Sequence, residues 1–166
     1  MTKLDIKIRE PVTKEEFERY YNLRWRILRQ PWNQPVSSEK DDKEDQSIHI
    51  VACIDDEIVG CGRGHFNSQT EAQIRYMAVE KGFQGEGIGT QILKALEKKL
   101  TKKGAKSIIL NARKNAVLFY QKLGYEIVEK SQTMFGEIEH FKMKKEKISN
   151  DLHIFSNKIN LTKEIR

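Results

Sequence analysis

The segment from Leu4 to Arg9 sets apolar Leu4, Ile6 and Ile8 against charged Asp5, Lys7 and Arg9. That alternation predicts a half-buried strand, ended by Pro11. Thr13 followed by Glu16 is a capping box, after which Phe17, Tyr20, Leu23, Ile27 and Leu28 recur at helical spacing, predicting a helix over 14–29. Pro31 and Pro35 break it, and 30–46 reads as a long polar loop with room for one helical turn, acidic at Glu39, Asp41, Asp42, Glu44 and Asp45. Two β-rich runs, 47–54 and 57–66, flank Asp55 and Asp56 as in a hairpin, and 70–79 adds a third strand. Ile88, Ile92, Leu96 and Leu100 mark a helix that Gly104 ends. Beyond it, 107–110 reads as a short strand, 114–123 as a helix closed by Gly124, and 125–129 and 138–143 as two more strands. The order is βα, then βββ, then αβαββ.

Two stretches stand apart from this pattern. Gly60, Gly62 and Gly64 fall at period two, so one face of their strand is nearly bare. Either a helix packs closely on a twisted or bulged strand, or a ligand touches it directly. At the C-terminus Ile148, Leu152, Phe155 and Ile159 share one helical face. That suits a partner or self-association helix, as in a homodimer, or a loosely docked, disordered terminus. The organisation predicted is one domain over 1–145 and a tail over 146–166.

Composition narrows the class. At 166 residues, 38% hydrophobic and 33% charged, the chain suits one soluble globular domain. Its apolar runs fall far short of the roughly 18 to 20 residues of a bilayer span, and MTKLDIKIRE carries no apolar signal core. A cytoplasmic location without membrane contact is the expectation. Cys53 and Cys61 are too few for a disulfide scaffold and are expected to be reduced thiols. The net charge of +6 favours an anionic partner. Basic and acidic residues are closely interspersed, however, and no zinc-finger, basic-zipper or RNA-binding signature is present, so nucleic acid is not the expected partner. None of the histidines stands at zinc-ligand spacing from cysteine or carboxylate, and no metal is expected.

The segment richest in chemistry is Val79-Glu-Lys-Gly-Phe-Gln84-Gly85-Glu86-Gly87-Ile88-Gly89-Thr90, where glycines lie between a strand and a helix start. Backbone N–H groups there point outward, the helix dipole adds positive charge, and missing Cβ atoms let a phosphate approach. The spacing matches neither G-x-G-x-x-G nor G-x-x-x-x-G-K-[ST]. It matches Q-x-x-G-x-G through Gln84, Gly87 and Gly89, which resembles the coenzyme-A loop of the GNAT superfamily of N-acetyltransferases. Ala116-Val-Leu-Phe119-Tyr120-Gln-Lys-Leu-Gly124-Tyr125 is similar to that family's A-x-x-[FL]-Y-x-K-x-G-[FY] signature, and Gly136 to Met143 to the G-I-x-H-x-x-M ending of some bacterial members. Each motif alone is weak; together, in matching element order, they extend the resemblance over 4–145.

The resemblance implies a mixed α/β (α+β) fold in α/β/α layers. Its twisted mixed sheet would splay between the strands ending at Val79 and Asn111 to hold acetyl-CoA. Met77, Ala78 and Val79 would bind the pantetheine and thioester, and Gln84, Gly85, Glu86, Gly87, Ile88, Gly89 and Thr90 the pyrophosphate. Ala116, Phe119 and Tyr120 of the helix motif would face the coenzyme. Seven residues before the helix tyrosine, where the family often carries asparagine, stands Arg113, with Asn111 and Asn115 as substitutes. Lys81, Lys94, Lys98, Lys114 and Lys122 flank the loop, either to meet a 3′-phosphate or as ordinary helix surface.

The activity implied is N-acetylation of a primary amine by direct transfer through a tetrahedral intermediate. Such a step needs a donor for an oxyanion, which the N–H of Met77 or Ala78 could supply, and an acid for the leaving thiolate. A phenol of pKa about 10 can reprotonate a thiolate of pKa about 8.5, and that role falls to Tyr120. A lysine-like acceptor is less than about one part in a thousand neutral at pH 7, so a base or ordered water must take its proton. Glu71, placed by strand parity on the face of Arg75 and Met77, and His140 are the candidates, with His65 and Glu137 behind them. The acidic loop Glu39 to Asp45 would suit a cationic acceptor such as a polyamine, an aminoglycoside or a lysine, or is simply solvated. Two rival readings are a non-catalytic acyl-CoA sensor and a basic nucleic-acid-binding domain.

Overall fold

The computed structural model describes residues 4–146; the apolar stripe read at the C-terminus lies outside the described residues. Seven strands, β1 (Lys7–Arg9), β2 (Ile48–Ile54), β3 (Glu57–Phe66), β4 (Glu71–Val79), β5 (Ser107–Arg113), β6 (Glu126–Lys130) and β7 (His140–Glu146), form one mixed sheet in the order β1-β2-β3-β4-β5-β7-β6. Helix α1 (Lys14–Leu28) packs on one face, α2 (Ile88–Lys102) and the short α3 (Val117–Lys122) on the other. The mixed α/β architecture read from the sequence is the one observed. The long loop holds two 3-10 turns, Gln30–Trp32 and Glu44–Gln46, and α3 is shorter than predicted because Lys114–Ala116 is also a 3-10 turn. Among the described residues no helix is long and apolar enough to cross a membrane.

Close packing explains the glycine stripe. A Cβ built on Gly60 would come within 2.9 Å of Ile88 and Ile92, and one on Gly64 within 2.9 Å of Leu100. The strand is bare because α2 lies directly on it. Apolar side chains of α2 occupy the volume that β3 gives up, and Ile88, Ile92, Leu93, Leu96 and Leu100 are almost fully buried.

On the opposite face a smaller apolar cluster around Tyr20, Leu23, Val51 and Cys61 adjoins a buried charged network. Arg24 of α1 and Arg63 of β3 are fully buried. Arg24 donates to Glu44 and to the Glu39 carbonyl, both at 2.9 Å, and to the Tyr20 hydroxyl. Tyr20 hydrogen-bonds His49 Nδ1 at 2.9 Å, and His49 Nε2 reaches the Glu44 carbonyl at 2.8 Å. A neutral imidazole protonated on Nε2 satisfies that whole chain. Arg63 grips Asp41 at 2.6 and 2.9 Å and Glu44 at 2.6 Å, and Arg75 of β4 reaches Asp41 at 2.7 Å. The acidic loop is therefore folded inward, and its Asp41 and Glu44 neutralise buried arginines instead of lining a site for a cationic acceptor.

The parallel pairing of β4 with β5 covers only Glu71–Ile74 against Ser107–Leu110. Past that point β4 bulges: Cys61 faces Ala78 and Arg63 faces Arg75, so Gly62 stands opposite both Tyr76 and Met77. Tyr76 adopts φ +57° there, a conformation that costs a bulky L residue about 1–3 kcal/mol. The extra residue reverses the faces of the strand. Ala72 and Ile74 point toward α2, whereas Tyr76 and Ala78 point toward α1 and Met77 turns toward α2.

Two outcomes are expected in urea unfolding. Gly62→Val, whose Cβ would sit 2.5 Å from Met77 Sδ and 2.8 Å from Ile92, should cost about 1–3 kcal/mol by overpacking. Gly82→Ala, with nothing within 4 Å, should change stability by less than about 0.5 kcal/mol. Burial alone would raise the Asp41 carboxyl, but the hydrogen bonds from Arg63 and Lys43 and the charges of Arg63 and Arg75 hold it well below the usual carboxylate range. A depressed pKa stabilises fully above the unfolded value of about 3.9 and loses its effect as the pH falls toward the folded one. Asp41→Asn should accordingly destabilise at pH 7, with a smaller difference from wild type at pH 3.

Candidate active site

Beyond Ile74 the facing edges of β4 and β5 diverge, and α3 with its preceding turn sits over the gap. Two cavities open there. The first, about 540 Å³, runs from Met77, Ala78 and Val79 along the glycine loop to Thr90 and is closed by Asn115, Ala116, Phe119 and Tyr120. The second, about 330 Å³, lies between the C-terminus of α1, the free halves of β4 and β5, and the start of β7. Met77, Ala116 and Tyr120 line both.

The glycine loop has the form an anion requires. Gly85 and Gly87 take φ +83° and +80°, and a Cβ on either would meet nothing within 4 Å. They are there for backbone conformation and for the open space they leave. The helix start differs sharply from that of α1, where Thr13 accepts from the Glu16 N–H at 3.1 Å and Glu15 and Glu16 lie in the first turn. Helix α2 has no side-chain cap and no acidic residue in its first turn. Its first intrahelical bond runs from Gln91 N–H to the Gly87 carbonyl at 3.1 Å, leaving the N–H groups of Ile88, Gly89 and Thr90 without helical partners. These amides and the positive end of the helix dipole face the larger cavity, which fits a pyrophosphate.

Of the residues expected to meet a coenzyme, Glu86 projects to solvent and lines neither cavity, and Asn111 lines the smaller one. The others line the larger. Gln84 has an additional structural part, its amide donating to the Val79 carbonyl at 3.1 Å and so tying the loop to the strand end. Tyr120 stands where the two cavities meet. Its phenol is buried against Phe119 and Tyr125, with ring centroids at 4.9 and 5.8 Å, and burial alone pushes it up from its ordinary value. It is a protonated donor throughout the neutral range.

The base candidates separate. Glu71 is at the closed end of the β4–β5 pair, accepting from Asn67 at 3.3 Å, and lines neither cavity. Its assumed shared face with Met77 is incorrect, because the Tyr76 bulge puts the two on opposite faces. His65 is held by Arg63 at 3.1 Å and Asn67 at 3.2 Å within the charged network. Glu137 is exposed on the β6–β7 connection. His140 does line the smaller cavity, where Nδ1 donates to the Ile138 carbonyl at 3.0 Å. Burial, together with the charges of Arg113 and Arg29, holds its pKa below the ordinary value against the backbone groups of Ile138 and Gln132. Neither cysteine is poised as a nucleophile, since burial pushes the Cys61 thiol up to about 11 and raises that of Cys53. Among the described residues no cluster of three His, Cys, Asp or Glu side chains could hold a metal ion.

Two titratable residues of the smaller cavity carry no signal in the sequence. Arg29, at the end of α1, looks like ordinary helix surface, and Tyr76 looks like a core residue of a regular strand. Arg113 was noticeable only as a departure from a motif.

Comparison with known proteins agrees with this geometry. The family model described as Acetyltransferase (GNAT) family matches residues 17–125. The uncharacterized N-acetyltransferase YjcF of Bacillus subtilis strain 168 is 32% identical over 133 residues, spanning 80% of this chain and 94% of that one. Among solved structures, Escherichia coli ElaA superposes with a TM-score of 0.73 at 19% identity over 86% of this chain and 99% of its own. An aminoglycoside 6′-N-acetyltransferase complexed with coenzyme A gives 0.73 at 20% identity, over 89% and 99%.

An NMR titration of the histidine rings should place the His140 midpoint, assigned by its loss in His140→Asn, below the ordinary value of about 6.5. A midpoint at or above 6.5 would mean that the cavity is less cationic than its lining suggests.

Proposed function

The chain belongs to the GNAT acetyltransferase family, and from that premise we propose that it transfers an acetyl group from acetyl-CoA to a primary amine. The carrying observation is the pair of cavities joined at Met77, Ala116 and Tyr120. One has a phosphate cradle at its far end and the other opens on the same reacting position.

In this reading the unpaired amides of Ile88, Gly89 and Thr90, with Gly85 and Gly87, hold the pyrophosphate. The free edge of Met77 to Val79 aligns the pantetheine in the gap where β5 has moved away. An amine in the smaller cavity attacks the thioester carbonyl, forming the new C–N bond, and the tetrahedral oxyanion takes a hydrogen bond from the strand-end N–H of Met77 or Ala78. The C–S bond then breaks and Tyr120 protonates the departing thiolate. Burial disfavours a phenolate, so the thiolate's protonation by Tyr120 is a short-lived charge shift, completed when the proton that the amine first gives to His140 is passed on to the phenolate. Arginines around the smaller cavity disfavour an ammonium ion, so the amine enters neutral, and His140, itself neutral, is the side chain placed to take its proton.

Calorimetry with acetyl-CoA tests the cradle, and thiol release with an amine panel tests the chemistry. Wild type should bind, and Gly87→Glu, which puts a carboxylate among the free amides and a side chain at φ +80°, should lose at least about tenfold in affinity. Tyr120→Phe should keep binding while thiol release falls about 10²- to 10⁴-fold, the usual worth of a general acid. Binding without release by any amine, and no effect of Tyr120→Phe on the bound state, would favour an acyl-CoA sensor instead.

A further inference from the structure

The smaller cavity carries an unbalanced charge. Its charged and titratable lining consists of Arg29, Arg75, Arg113, His140, Tyr76 and Tyr120, with no carboxylate. Arg75 is paired with Asp41 at 2.7 Å, a carboxylate it shares with Arg63. Arg29 and Arg113 form no ion pair among the described residues, although Arg29 is only 7% exposed. Both donate instead to one oxygen, the carbonyl of Leu28, each at 3.2 Å. That carbonyl ends α1, whose dipole supplies only a fraction of a negative charge.

The two guanidiniums are held in place and have donors to spare. Arg29 is fixed by its Nε bond to the Ser38 carbonyl at 3.0 Å and lies 5.6 Å from the Tyr76 ring and 5.5 Å from that of Phe135. An arginine carries five N–H groups in a planar fork, and the bonds described here use Nε and Nη1 of Arg29 and Nη2 of Arg113. Burial pulls both guanidiniums below the usual arginine range; the charges of Arg75 and Arg24 lower Arg29 further against its contact with the Tyr76 hydroxyl, and the charge of Arg29 lowers Arg113. Uncompensated buried charge is costly, and the fork geometry matches an oxyanion. The volume of about 330 Å³ lies at the low end of small-molecule sites.

Resting on the acyl-transfer reading above, we propose that the acceptor is a small amine carrying an oxyanion group, a carboxylate or a phosphate, which Arg29 and Arg113 hold while the amine meets the thioester beside Tyr120. The cationic acceptors suggested by the acidic loop are then the wrong class. Polyamines and aminoglycosides would meet two uncompensated guanidiniums, because the loop's Asp41 and Glu44 are committed to Arg24, Arg63 and Arg75.

Thiol release from acetyl-CoA is the first test, with three arms: α- and ω-amino acids, amino-sugar phosphates and phosphoethanolamine, and a set of amino-acid amides with spermidine. Turnover should be confined to one or both anionic arms, and the arm that responds identifies the oxyanion. Arg113→Met should raise KM for that acceptor about 10- to 150-fold, the worth of one charged hydrogen bond, with kcat changed only a few-fold and coenzyme affinity unchanged by calorimetry. Equal turnover of acids and their amides, or preference for spermidine, would overturn the assignment. A second measurement does not need the right acceptor. With coenzyme A saturating the cradle, acetate or inorganic phosphate at constant ionic strength should raise the Tm of wild type and not of the Arg29→Met/Arg113→Met variant. Identical responses of the two, with coenzyme bound, would contradict the oxyanion site alone. Failure of wild type to bind coenzyme would instead remove the acyl-transfer reading beneath it.

Discussion

A single residue held in the left-handed conformation organises the site. Tyr76, at φ +57°, inserts an extra residue into β4, and three consequences follow. The strand reverses its faces, its pairing with β5 ends at Ile74, and the backbone of Met77 to Val79 is left with a free edge toward the gap. The Tyr76 ring is itself hemmed in by guanidiniums, with Arg24 at 4.2 Å, Arg75 at 4.6 Å and Arg63 at 5.0 Å from its centroid. Such packing over-determines a conformation that would otherwise relax. Strain in the strand and the buried charge beneath it are parts of one arrangement.

That charge is distributed unevenly, and the unevenness separates scaffold from site. Carboxylates of the loop after α1 are bound to Arg24, Arg63 and Arg75, adding ion pairs to the apolar cluster under α1, whereas the other face is closed by α2 on the glycine stripe. Arg29 and Arg113, a short distance further along the sheet, receive only the Leu28 carbonyl. The open amides of α2 and the unpaired guanidiniums thus make two anion-seeking ends, with Tyr120 between them.

Much of this was legible in the sequence, and the misses have physical causes. Element order and the cradle at Gly85 to Thr90 follow from glycine spacing and periodicity, which are local signals, and Tyr120 stands out through the resemblance of its helix to a family motif. The bulge is not local. Ala72, Ile74, Tyr76 and Ala78 alternate as on one face, and burial alternates with them right through the bulge, so nothing in the pattern marks the reversal that removes Glu71 from the site. The acidic loop misled for a related reason: composition shows that Asp41 and Glu44 are charged, but only the fold shows that buried arginines claim them. Arg29 became visible only when the end of α1, the β6–β7 connection and β5 came together in space.

The most direct test of this arrangement is amide hydrogen exchange, resolved by residue, with and without coenzyme A under conditions where calorimetry shows the site filled. The expected result is new protection concentrated at Ile88 to Thr90, whose N–H groups lack helical partners, and at those amides of Met77 to Val79 that face the gap left by β5. Protection confined to other parts of the sheet, with these amides unchanged, would contradict the claim that the Tyr76 bulge and the open start of α2 form the coenzyme groove.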